Sequence, residues 1–230
     1  MAYTLITANR NYSSWSLRPW LLMRALGLPF EDRIEPFAAA TNYAAFRSFS
    51  PTGQVPALID HEADRTVWDS LGITLYLADR HPGVWPADEA TRAFAQCAVA
   101  EMHSGFAALR GDCTMNVGVR VEPHMPSPAL GRDIARLREL WEEGLDRFGG
   151  PFLAGPHVSA LDAFYAPVAF RVRTYGLDVG PVGQSWVDHM LAQPAMQDWE
   201  AQALAETWRE ESHEAEIGAA GRIVADYRAL

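Results

Sequence analysis

Two hydrophobic periods divide this chain. From Met1 to about Arg80, short apolar runs suited to strands alternate with runs of helical spacing, the order expected of an α/β unit. Tyr3-Thr4-Leu5-Ile6-Thr7 is rich in β-branched and aromatic residues and predicts a first strand. Leu21 to Leu26 predicts a helix that stops at Gly27. A second strand is expected at Phe30–Glu35, and a short helix or loop at Ala38–Phe49. Val55–Asp60 and Thr66–Trp68 read as a hairpin turning at His61–Arg65, and the apolar positions from Leu71 to Leu77 predict a helix ending near Arg80.

His81-Pro82-Gly83-Val84-Trp85-Pro86 interrupts both periods, so a linker is expected at 82–87, with one domain at 1–81 and another at 88–230. Beyond it the pattern is alanine-rich and helical: Asp88 to about Val117, Ala129–Phe148, Ser159–Tyr175, Gln184–Leu191 and Pro194 to about Glu211. No strand pattern stands out in this half. Val119–Pro128, with three prolines, reads as a loop between long helices, and the five glutamates from Glu206 to Glu216 read as a solvated helix face or tail.

Composition narrows the chemistry. A net charge of −10 argues against nucleic acid as a partner, because phosphate binding needs a basic surface. All 19 basic residues are arginine, which excludes Schiff-base lysine and P-loop mechanisms. Cys97 and Cys113 form neither a CxxC pair nor a disulfide framework and are expected to be packed thiols. The seven histidines show no paired metal-ligand spacing, so no metal is expected, and no GxSxG elbow supports a serine hydrolase. With neither a signal peptide nor an apolar run approaching ~18 residues, the expectation is a cytoplasmic protein without a membrane partner.

Between the first strand and first helix lies Asn9-Arg10-Asn11-Tyr12-Ser13-Ser14-Trp15-Ser16-Leu17-Arg18-Pro19-Trp20. A serine-rich loop at a helix start gathers unpaired N–H groups at the positive end of the helix dipole, a setting that suits a phosphate, carboxylate or thiolate. Taken alone, such serines are usually caps.

Four motifs in order suggest which anion. Ser13-Ser14-Trp15-Ser16-Leu17-Arg18, Ser50-Pro51-Thr52-Gly53-Gln54-Val55-Pro56-Ala57-Leu58, Asp69-Ser70 and Ser159-Ala160-Leu161-Asp162 together resemble the cytosolic glutathione transferases, most closely the serine-type bacterial members similar to the zeta class. The resemblance implies a thioredoxin-like N-terminal domain followed by an all-helical domain, and glutathione as co-substrate with no further cofactor. It also implies a small electrophilic substrate, a role in detoxification and a homodimer.

On that resemblance Ser13 stabilises the thiolate of glutathione, Ser14 supports it, and Ser16 caps the helix with Pro19 in the first turn. Arg18 is either a solvent-facing charge or a source of local positive potential. The Val55 backbone, followed by a cis Pro56, pairs with the cysteinyl backbone, Gln54 adds a contact, Asp69 meets the ammonium, and Ser70, as helix cap, meets the γ-glutamyl carboxylate. Ser159-x-x-Asp162 is read as a structural capping box. Trp15, His103, Phe106 and Arg110 are candidates to line the electrophile pocket, against the plainer reading of His103 as packed or exposed. Trp15 stands where zeta-type members carry cysteine, which weighs against the rival reading, a cis-trans isomerase of the maleylacetoacetate isomerase type. A non-catalytic binding module of the same fold is the other alternative.

Overall fold

The computed structural model describes residues 2–37 and 42–229, so part of the helix or loop expected at 38–49 lies outside the described residues. Strands β1 (Tyr3–Thr7), β2 (Phe30–Ile34), β3 (Ala57–Asp60) and β4 (Arg65–Trp68) form one sheet in the order β2-β1-β3-β4. β1 is parallel to β2, with Tyr3 opposite Phe30, and is joined to it through α1 (Ser14–Ala25). β3 runs antiparallel to both β1 and β4. A βαβ unit followed by a hairpin is the thioredoxin-like arrangement. All five residues of β1 are buried, as an interior strand covered on both faces requires.

Helix α1 begins earlier than the capping pattern suggests. Ser13, not Ser16, is its N-cap, and Pro19 lies inside the helix. Ser16 is unavailable as a cap because its hydroxyl turns back to accept from the Ala8 amide at 3.2 Å. Gly27, at φ +65°, takes the left-handed position that ends the helix. After the short α2 (Tyr43–Phe46) and the β3–β4 hairpin, α3 (Ser70–Ala78) packs beside α1, burying Ile73 and Leu77 completely.

The helical half contains α4 (Glu89–Ser104), α5 (Ala107–Asp112), α6 (Pro128–Phe148), α7 (Ala160–Tyr175), α8 (Gly180–Leu191), α9 (Pro194–Ala205) and α10 (Glu211–Ala220). The single helix expected over 88–117 breaks at Gly105-Phe106, where Phe106 takes φ +54°. In α7 every residue except Arg173 is buried, and the helix packs against α1. It opens on the expected capping box: Asp162 accepts from the Ser159 amide at 3.1 Å and also from the Leu153 amide and the Trp186 ring N–H.

The helical half also carries a two-stranded ribbon that the pattern does not predict. β5 (Val119–Pro123) lies within the expected loop and pairs antiparallel with β6 (Gly221–Asp226). Val119 and Val121 point inward while Glu122 points out, a period of two obscured by the prolines that follow. The ribbon folds the last described residues back over the loop that precedes α1.

Candidate active site

That loop is fixed from both halves of the chain. Asn9 accepts the Phe37 amide at 2.7 Å, and its carbonyl accepts the Ser13 amide at 3.0 Å. Arg10, fully buried, pairs with Asp32 at 2.5 Å and stacks its guanidinium 4.3 Å from the centre of the Trp199 ring. Glu206 accepts from the backbone amides of Arg10 at 2.5 Å and Asn11 at 3.2 Å, and from the Asn11 side chain at 3.1 Å. Burial raises the Glu206 carboxyl despite those donors. The 206–216 stretch is therefore not simply a solvated face: Glu206 and Glu210 are buried, and Glu214 accepts from the Tyr12 hydroxyl at 2.6 Å and pairs with Arg228.

A cavity of about 820 Å³ opens between this loop, α2, the segment leading into β3, α4 and α10. Of the three serines only Ser13 lines it. Ser14 Oγ accepts from Arg171 at 3.3 Å, and Ser16 is wholly buried. Gln54, Val55 and Pro56 form another wall, with Val55–Pro56 cis. Asp69 and Ser70 face the same space.

Asp69, not Ser70, caps α3. Its Oδ1 accepts from the Leu71 amide at 2.7 Å and the Gly72 amide at 3.3 Å, because φ of +67° swings its side chain over the helix end. Its other oxygen lies 3.7 Å from His103 Nε2. Ser70 becomes the first helical residue, fully buried, and its hydroxyl has no hydrogen-bond partner among the described residues. A buried hydroxyl left in that state at a cavity wall suits a polar ligand atom.

Trp15 and His103 line the cavity, edge to face at 5.4 Å. Phe106 and Arg110 do not line it: Phe106 is buried against Tyr165, and Arg110 donates to the His103 carbonyl. Arg110 instead shares Trp15 with Arg18, the two guanidinium carbons lying 5.5 and 4.0 Å from the ring centre. Arg18 is not solvent-facing. It is 2% exposed, and two of its guanidinium nitrogens lack hydrogen-bond partners among the described residues. Burial, with Arg171 and Arg110 nearby, brings it down to about 9, and burial brings Arg171 to about 10. Both remain cations at neutral pH, a cluster of positive charge behind the start of α1.

Tyr12, Phe37, Glu210, Ser212 and His213 also line the cavity, and sequence reasoning did not place them there. Glu210 and His213 carry one local signal, since Glu210 caps α10 by accepting the His213 amide at 3.0 Å. Their approach to Tyr12 across some two hundred residues leaves no mark in a local pattern. Among the described residues no cluster of His, Cys, Asp or Glu is placed to hold a metal ion, and no helix is long and apolar enough to cross a membrane.

The glutathione S-transferase N-terminal domain model matches residues 12–80 and the corresponding C-terminal domain model matches 128–211, together more than half of the chain. The chain belongs to the glutathione S-transferase family. A zeta-class glutathione S-transferase from Euphorbia esula is 28% identical over 159 residues, covering 67% of this chain and 70% of that protein. Glutathione S-transferase 1 of Schizosaccharomyces pombe is 37% identical over 68 residues, covering 27% and 30%. The fold is shared with a Burkholderia gl BGR1 glutathione transferase homologue solved with bound glutathione, at TM-score 0.66 and 23% identity over 87% of this chain and 97% of that one. In this glutathione S-transferase family member, the cavity is walled by residues of both matched stretches together with His103, between them, and Ser212 and His213, beyond them.

Proposed function

We propose that the cavity binds reduced glutathione, lowers the pKa of its thiol and presents the thiolate to a small electrophile. The observation that carries this reading is the placement of Ser13: it alone of the serine cluster lines the cavity, at the N-terminus of α1. Helix N-termini lower a thiol from about 8.5 toward ~7 or below. The buried Arg18 and Arg171 add positive charge behind the same turn. Ser13 donates to the thiolate, Val55-Pro56 and Gln54 meet the tripeptide backbone, and Asp69 and Ser70 meet its γ-glutamyl end; the partnerless Ser70 hydroxyl supports the last assignment. Trp15 and His103 border the space for the electrophile.

The same reading gives a cytoplasmic homodimer in which 82–87 links a glutathione-binding unit at 1–81 to the helical unit at 88–230. The test is titration of the protein with glutathione while ultraviolet thiolate absorbance is recorded, followed by turnover with a panel of electrophiles. Thiolate at neutral pH with net consumption of glutathione is expected. Product formed at constant glutathione would identify an isomerase, and no binding at millimolar concentration would identify a binding module.

A further inference from the structure

His213 is clamped on three sides. Its ring stacks on Tyr12 at 4.9 Å and 19° and on Phe37 at 5.0 Å and 20°. Its Nδ1 lies 2.6 Å from Glu210 Oε2, and that same oxygen accepts from the Ser212 hydroxyl at 2.6 Å and the His213 amide at 3.0 Å. Burial alone would raise the Glu210 carboxyl, yet these donors bring it down to about 2, so it is an anion whenever the protein is folded near neutral pH. Tyr12, on one face of the ring, is held in turn by its bond to Glu214. The ring cannot turn without breaking both stacks and the carboxylate bond, and Nε2 is the nitrogen left for a reactant. His213, Glu210 and Ser13 line one cavity.

A base oriented through its far nitrogen by a carboxylate is the arrangement proton transfer requires. Not every thiol addition needs one. A halide leaves as a stable anion. A conjugated carbonyl or an epoxide instead becomes an oxyanion, which must be protonated before product leaves.

Resting on the reading that glutathione binds at Ser13, we infer that His213 is a catalytic residue that carries the thiol proton to the electrophile, and that the substrates are electrophiles whose oxygen takes up negative charge. His213 accepts the thiol proton at Nε2 while its Nδ1–H stays on Glu210. The sulfur electron pair forms the carbon–sulfur bond at the β-carbon of a conjugated carbonyl, and the carbon–carbon π pair shifts to give the enolate. The enolate oxygen takes the proton back from Nε2 and the enol relaxes to the carbonyl. In an epoxide the sulfur pair breaks a carbon–oxygen bond and the alkoxide takes the proton. His213 ends as it began in both cases, with no proton gained or lost overall. Glu210 touches no reactant and is a positioning residue.

The experiment is turnover of the full chain with glutathione and, in parallel, 2-cyclohexenone, styrene oxide and benzyl chloride. His213→Asn keeps an N–H toward Glu210 and removes the proton carrier. The ratio of cyclohexenone to benzyl chloride kcat/KM is expected to fall about 100-fold. Glu210→Gln, the second variant, is expected to lower the same ratio about tenfold through kcat and not KM. A fall confined to styrene oxide assigns the proton to the alkoxide of an epoxide and still places it on His213. Ratios to benzyl chloride within about threefold of the parent for both oxygen electrophiles in both variants overturn the role of His213. If the parent shows neither bound thiolate nor turnover, the Ser13 reading falls and takes this inference with it. Thiolate and turnover with unchanged ratios defeat the inference alone.

Discussion

Ser13 and Ser16 are joined twice: Ser13 Oγ donates to Ser16 Oγ at 2.7 Å and accepts from the Ser16 amide at 3.3 Å. Only the first bond uses the Ser13 proton. Turning that proton toward a ligand keeps the cap, so one hydroxyl can end the helix and serve a thiolate at once.

Ser13→Ala therefore has two effects. The pKa of bound glutathione should rise by about 1–2 units, since a hydrogen bond to a charged group is worth roughly 1.5–3 kcal/mol, while affinity is largely kept. Loss of the cap should lower folding stability by about 1 kcal/mol. Thiolate absorbance against pH and urea unfolding measure the two separately. If Ser14→Ala or Ser16→Ala moves the thiol pKa and Ser13→Ala does not, Ser13 is not the donor.

Ser70→Ala should separate binding from folding in the opposite sense. The hydroxyl has no partner among the described residues, so its removal should cost no stability, yet glutathione affinity should fall about tenfold. Calorimetric titration alongside thermal unfolding checks both, and an unchanged affinity would remove Ser70 from the site.

Arg18→Met should raise the pKa of the bound thiol while leaving the thermal midpoint equal or higher. A buried cation with two nitrogens that find no hydrogen-bond partner among the described residues costs the fold more than an apolar chain of similar length. A marked fall in midpoint would mean that Arg18 holds the fold together and is not chiefly a source of potential.

Glu206→Ala strips three donors of their acceptor at the loop before α1. A loss of about 2–4 kcal/mol is expected in urea unfolding, with weaker glutathione binding because Ser13 is no longer held.

Acid should loosen the α10 wall. The Glu210 carboxyl sits at about 2 in the folded chain against 4.5 unfolded, so its contribution is complete above 4.5 and is lost as pH falls toward 2. Glu214 and Asp226 are shifted in the same direction. Between about pH 6 and about pH 3 the parent should therefore lose more stability than Glu210→Gln, which cannot titrate there. Equal losses would show that Glu210 contributes nothing to the acid sensitivity.

The elements that local pattern governs were legible in the sequence. The sheet strands, Gly27 at the end of α1 and the Ser159–Asp162 box follow from side-chain period and capping chemistry. Cap choice was less so, because Ser16 and Ser70 are as suitable by type as Ser13 and Asp69, and backbone geometry decides between them. Arg18 could not be placed at all from its own neighbours: its burial depends on α7. The α10 wall was hidden most completely. Glutamate in a run predicts solvent, and only contacts such as Tyr12 with Glu214 convert that run into a wall.

The Tyr12–Glu214 bond also sets a clock. The two residues stand 202 positions apart, and at roughly 5–20 residues per second a ribosome takes on the order of 10–40 s to travel between them. For that interval a nascent chain can hold its sheet and α1 without the far side of the cavity. Ligand capture, on this geometry, is a late event in biosynthesis, gained only when α10 emerges and closes on a loop made at the beginning.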